Sequence, residues 1–149
     1  MHITITLLLF FVAECFSYNS TLHTIGPTFH VNFGNGEVRL SGGIEYACWF
    51  LPSCNHIDLP VGFDIGLEFE RNKVRVYSEV QTGVVFAGAA LGPVIEYSND
   101  IGVFTPGIQG SLWGAYFGGV NIRFRRVEYP VFSPGLFLKY IGSEIPIGC

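Results

Sequence analysis

The chain has 149 residues, of which 49% are hydrophobic and only 13% charged, with a formal net charge of −4. That length suits one domain, and an ordinary soluble domain carries roughly 25% charged residues, so there is too little charge here to dress a conventional wet surface. The acidic balance excludes nucleic acid as a partner and argues against docking on an anionic membrane surface.

Residues 1–17 read as a signal peptide. MHITITLLLFFVAECFS holds an apolar run from Ile3 to Ala13, then Cys15, Phe16 and Ser17, a small-x-small pattern that permits cleavage after Ser17. The run falls short of the ~20 apolar residues of a spanning helix, and Gly, Pro or charge interrupts every later candidate. Cleavage removes Glu14, so the 12 acidic residues become 11 against 8 basic, a net charge of −3. Residues 18–27 are then an N-terminal extension, 28–141 a β-barrel and 142–149 a C-terminal tail.

From residue 28 onward the dominant period is two, the strand period. In VGFDIGLEFER, Val61, Phe63, Ile65, Leu67 and Phe69 share one face, and Gly62, Asp64, Gly66, Glu68 and Glu70 share the other. Val38, Leu40, Ile44, Tyr46 and Phe50 likewise oppose Glu37, Arg39, Ser41, Glu45 and Trp49. Further on, Val74, Val76 and Val80 oppose Lys73, Arg75, Glu79 and Gln81; Ile108, Leu112, Tyr116, Val120, Ile122 and Phe124 oppose Gln109, Ser111, Trp113, Asn121, Arg123 and Arg125. A helix would mix these faces.

Turn signals separate the runs at Gly34-Asn35-Gly36, Arg71-Asn72-Lys73, Ala87-Gly88, Ser98 to Gly107, Gly118-Gly119 and Pro130 to Gly135. The spacing predicts eight antiparallel strands over residues 28–34, 37–50, 61–71, 73–85, 89–98, 107–117, 120–129 and 134–141, with a bulge at Pro93. The fold class is therefore all-β, an antiparallel up-and-down barrel of about eight strands; a soluble β-barrel or sandwich is the alternative.

Alternation alone does not say which face is wet. A soluble barrel keeps its apolar face inside, whereas a membrane barrel turns it to lipid. Three features favour the membrane arrangement. The less apolar face is rich in small residues (Gly62, Gly66, Ser111, Ala115, Gly119), as a narrow lumen requires. It also carries both signs of charge, so that Asp64, Glu68, Glu70, Glu79 and Glu96 are available for lumen ion pairs with Arg75, Arg123 and Arg125. Finally, Tyr97, Tyr116, Tyr129 and Tyr140 fall near strand ends, where membrane barrels place aromatic girdles.

In this pattern the chain resembles the small outer-membrane β-barrels of Gram-negative bacteria over residues 28 to 141, without a motif of any particular family. The resemblance implies an eight-stranded meander with a polar interior, outer-membrane lipid as partner, and no specific activity. Export to the outer membrane is the expected location; the periplasm or the extracellular space is the alternative.

Catalytic and metal-binding chemistry is sparse. His56, Asp58 and Ser53 form the one local set of triad-type residues, without the spacing of a known triad, so an exposed polar loop is the simpler account. Cys48, Cys54 and His56 lack a fourth zinc ligand. In an oxidising compartment Cys48 and Cys54, which flank CWFLPSC, form a possible disulfide; three unpaired thiols with Cys149 are the alternative. Glu68 and Glu70, two apart on one face, suit ion pairs with the arginines better than catalysis. The expected role is thus structural or surface-interacting, non-enzymatic and without a cofactor. A secreted barrel for a small hydrophobic ligand, and a membrane-embedded lipid hydrolase using His56, are the alternatives.

Overall fold

The computed structural model describes residues 18–52, 59–84, 87–115 and 118–146. Nine strand segments follow one another: β1 (Tyr18–Gly34), β2 (Glu37–Pro52), β3 (Val61–Glu70), β4 (Lys73–Val84), β5 (Ala87–Ser98), β6 (Val103–Gly114), β7 (Gly118–Arg126), β8 (Pro130–Leu138) and β9 (Tyr140–Pro146). Each pairs antiparallel with the next from β1 to β8, and the sheet closes where β1 pairs on its second edge with β8 and β9.

β8 and β9 are two halves of one strand. Thr28 pairs with Phe137 and Ile25 with Tyr140, so one register runs through the break and sets Gly26 opposite Lys139 and Pro27 opposite Leu138. Pro27 has no N–H to give the ladder, which accounts for the interruption. The architecture is a closed eight-stranded antiparallel barrel.

Several boundaries differ from those expected. Residues 18–27 are not an extension, because β1 begins at Tyr18 and pairs with β2 along its whole length. Residues 142–146 are not a tail but the end of β9. The expected signal peptide lies outside the described residues. Ala87 and Gly88 open β5 and Gly118 and Gly119 open β7, so these dipeptides are strand starts rather than turns. Pro93 makes no bulge: it pairs with Ile108 in an unshifted register, and its missing N–H costs only a gap in the β4–β5 ladder between Tyr77 and Val80.

The β1–β2 connection follows its sequence. Asn35 and Gly36 both hold positive φ, 52° and 76°, as a two-residue hairpin of matching twist requires. The connections at this end are short: residues 35–36, 71–72, 99–102 and 127–129.

Burial alternates along the strands in the sense opposite to a soluble core. Glu68, Arg75, Gln109, Arg123 and Ser133 are at most 2% exposed, whereas Phe29 is 61% and Leu40 74% exposed. The polar face therefore points into the lumen, and Ile44, Ile65, Val76, Ile95, Leu112 and Leu136 point out.

The lumen has two parts. Near the β2–β3 connection, Leu22, Ala47 and Trp49 form an apolar plug with Leu51 and Trp113 against it, the two indoles meeting edge to face at 5.5 Å. Glycine makes the room: a Cβ on Gly88 would lie 2.1 Å from Trp113 Cζ2, and one on Gly62 3.1 Å from Trp49 Cδ2. The rest of the lumen is filled by charge.

Candidate functional site: the charged lumen

Strand periodicity delivers the charges. Glu45 on β2, Glu68 and Glu70 on β3, Arg75 on β4, Glu96 on β5 and Arg123 and Arg125 on β7 all occupy inward positions, and the narrow lumen brings their tips together. An ion there survives only if it is paired and hydrogen-bonded.

Glu68 is the hub. It accepts hydrogen bonds from Arg75 Nη1 at 2.7 Å and from Arg125 Nη1 and Nη2 at 3.1 and 2.9 Å, with Arg123 Nη1 at 3.4 Å. The bidentate approach of Arg125 is the strong form of the contact, and Arg125 Nε also donates to Gln109 at 2.8 Å. Arg75 spreads across three strands, reaching Glu70 at 2.9 Å and Glu96 at 2.6 Å as well.

A second centre forms at Glu45. Arg123 and Lys139 pair with it, Lys139 at 2.7 Å, and the Tyr77 hydroxyl donates to it at 2.8 Å. The Arg123 guanidinium lies 4.4 Å from the Tyr77 ring centre, a cation–π contact in a desolvated setting. Gly66 makes this possible, since a Cβ there would sit 2.1 Å from Tyr77 Cζ.

At the mouth near the β1–β2 hairpin, Lys73 donates to Glu96 at 2.5 Å, and Arg39 pairs with Glu37 and with Glu70 at 3.3 Å. Asn32 donates to Ser41 and Glu70. Tyr129 does not join an outer girdle: its hydroxyl takes hydrogen bonds from Arg39 at 3.1 Å and Lys73 at 3.4 Å, so the ring closes over the lumen. Tyr97 does lie outside, its ring tilted against Phe104 at 4.7 Å, and Tyr140 is exposed. The side chain of Tyr116 lies outside the described residues.

Of the eight lumen residues singled out from the sequence, six converge: Glu68, Glu70, Glu96, Arg75, Arg123 and Arg125. Asp64 and Glu79 are buried and directly opposed across β3 and β4, but neither joins a salt bridge among the described residues. The Tyr77 ring stands between Arg75 and Glu79 along β4. Glu79 accepts from Ser111 at 3.3 Å.

Sequence reasoning passed over Glu45, Lys139, Arg39, Lys73 and Tyr77 as members. Glu45, Arg39 and Lys73 stood on the polar face, yet partner choice depends on which strands meet across the lumen. His30, also inward, donates from Nε2 to Asn121 at 2.9 Å and stands 3.9 Å from Glu68.

Ser53, Cys54, His56 and Asp58 lie outside the described residues, and with them the triad-type set and the Cys48–Cys54 disulfide. Cys48 itself is buried on β2. Among the described residues no group of three His, Cys, Asp or Glu side chains is placed to hold a metal ion, and no helix is long and apolar enough to cross a membrane, which says nothing of a β-barrel.

No protein-family model and no curated protein matches the chain. Among solved structures, two similar ones are of Ail, the attachment invasion locus protein of Yersinia pestis. One, in complex with the heparin analogue sucrose octasulfate, is 10% identical with a TM-score of 0.38. The other is 11% identical with a TM-score of 0.34. Each alignment covers 83% of this chain and 99% of that chain.

Proposed function

We propose that the protein is a non-enzymatic barrel of an outer membrane, with lipid around it and a structural or surface-interaction role. The observation that carries this reading is the inverted partition: a lumen of buried ion pairs inside a closed barrel whose exterior is Ile, Val, Leu and Phe. In water such an exterior would be an apolar patch far beyond the few hundred Å² a monomer tolerates; in a bilayer it is the favourable surface. The dimensions agree. The 12 residues of β4, at ~3.3 Å each and a tilt of ~40°, cross ~30 Å, the thickness of a hydrocarbon core.

The same lumen weighs against a secreted carrier of hydrophobic ligands, because charge and two indoles fill the space such a ligand would need. It also favours a closed barrel over a pore. Spin labels at Ile65 and Phe124 test the proposal: in vesicles they should be reached by oxygen and shielded from a water-soluble relaxation agent. A chain that stays monomeric and soluble without detergent, with both labels open to the aqueous agent, overturns it.

A further inference from the structure

Among the described residues the outer face carries a notch at Gly110 that backbone geometry does not require. Leu91, Gly110, Phe124, Phe132 and Phe33 form a single row across β5, β6, β7, β8 and β1, each paired with the next. The Phe124 and Phe132 rings lie 5.3 Å apart and Phe132 and Phe33 6.2 Å apart. Gly110 interrupts the row, leaving a groove of about 490 Å³ with Ile108 along its side.

Most inward glycines are obligatory here, because a Cβ would strike backbone or a buried ring. At Gly110 a Cβ would meet only Ala90 O and Leu91 Cδ1, both at the ordinary distance of 3.5 Å. Gly42, the outward glycine on β2, is covered by the Phe29 ring at 3.5 Å. A Cβ at Gly110 would thus sit at ordinary contact distance, beside the groove rather than against a clash.

Arg126 stands at the end of this groove, one outward position beyond Phe124, and pairs across the sheet with Ile108 on one side and Pro130 on the other. It is exposed and lines the groove. Salt bridges occupy Arg39, Arg75, Arg123 and Arg125; Arg126 joins none among the described residues. On the membrane reading, an outward guanidinium at the rim of the apolar belt reaches the headgroup layer, where lipid phosphates supply counter-charge.

We infer that this groove is a seat for one anionic phospholipid, with an acyl chain over Gly110 between Leu91 and Phe124 and the phosphate, uncompensated by any headgroup cation, on Arg126. The inference rests on the membrane reading above and deepens it. The chain is held by apolar contact that any lipid supplies, and selectivity comes from the guanidinium.

The test refolds the barrel into vesicles of mixed phosphatidylglycerol and phosphatidylcholine, extracts it in mild detergent and weighs the retained lipid by native mass spectrometry. The native protein should retain phosphatidylglycerol in preference. Arg126→Gln should lower that preference roughly fivefold, the effect of one cation at a membrane surface, while Arg126→Lys keeps most of it. Gly110→Leu, which extends a side chain into the groove, should reduce retention of both lipids. If the barrel inserts but both variants retain lipid as the native protein does, the seat is wrong and the membrane reading stands. If the native chain does not enter the vesicles, both fall.

Discussion

The charged residues of the lumen are not equivalent, and their environments set opposite signs for the same kind of substitution. Glu68 answers three arginines; Arg75 keeps Glu70 and Glu96 and Arg123 keeps Glu45, but Glu68→Gln leaves the buried Arg125 guanidinium without its counter-charge. Breaking a buried pair in this way costs ~3–5 kcal/mol, and urea unfolding of the refolded barrel should show a loss of that size. Asp64 instead faces Glu79 directly, and like charges opposed across a sheet destabilise. Asp64→Asn should therefore leave stability unchanged or raise it in the same assay. Gly66 and Tyr77 supply a steric counterpart. Gly66→Ala drives a methyl into the Tyr77 ring and should cost ~1–3 kcal/mol. Combined with Tyr77→Leu, which removes the obstructing ring, the loss should be smaller than the sum of the two single losses.

At the level of strands, turn chemistry and strand chemistry use the same residues, which is where sequence reading loses its resolution. Asn35-Gly36 was legible as a hairpin because two positive φ values in succession favour that pair. Gly36→Val should destabilise by ~1–2 kcal/mol, the cost of a branched side chain in the left-handed region, seen as a lower urea midpoint with an unchanged slope. Ala87-Gly88 carried the same kind of signal and misled. Gly88 is small because Trp113, 25 residues further on, lies against it, and no local pattern reports a distant ring. Residues 18–27 were read as an extension, yet β1 runs through Gly26 and Pro27. In the barrel Gly26 is forced by close approach, since a Cβ would sit 1.6 Å from Leu138 O.

For the whole molecule, closure decides behaviour. A lumen blocked by the Trp49–Trp113 plug at one end and by ion pairs in the middle should pass no steady current in planar bilayers. Trp49→Ala should leave conductance at baseline, because the layer of Arg75, Glu68 and Arg125 stays shut; a rise in current would show that the indoles alone seal it. The ion pairs around Glu68 and Glu45 are out of reach of mobile ions, so raising salt from about 0.1 M to about 1 M should barely shift unfolding, in contrast to a fold held by exposed pairs. A steep fall in stability with salt would place the network in water.

The sequence by itself determined the strand period, the antiparallel meander and the sorting of residues into two faces, because the alternation of side chains along an extended backbone is a local property. It determined also that glutamates and arginines share the less apolar face. What only the tertiary structure decided was which face closes inward, which acids meet which bases, and that Arg126 stands at the end of a groove over Gly110. Those outcomes depend on register and closure between strands far apart in the chain, and a period of two is the same read from either side of the sheet.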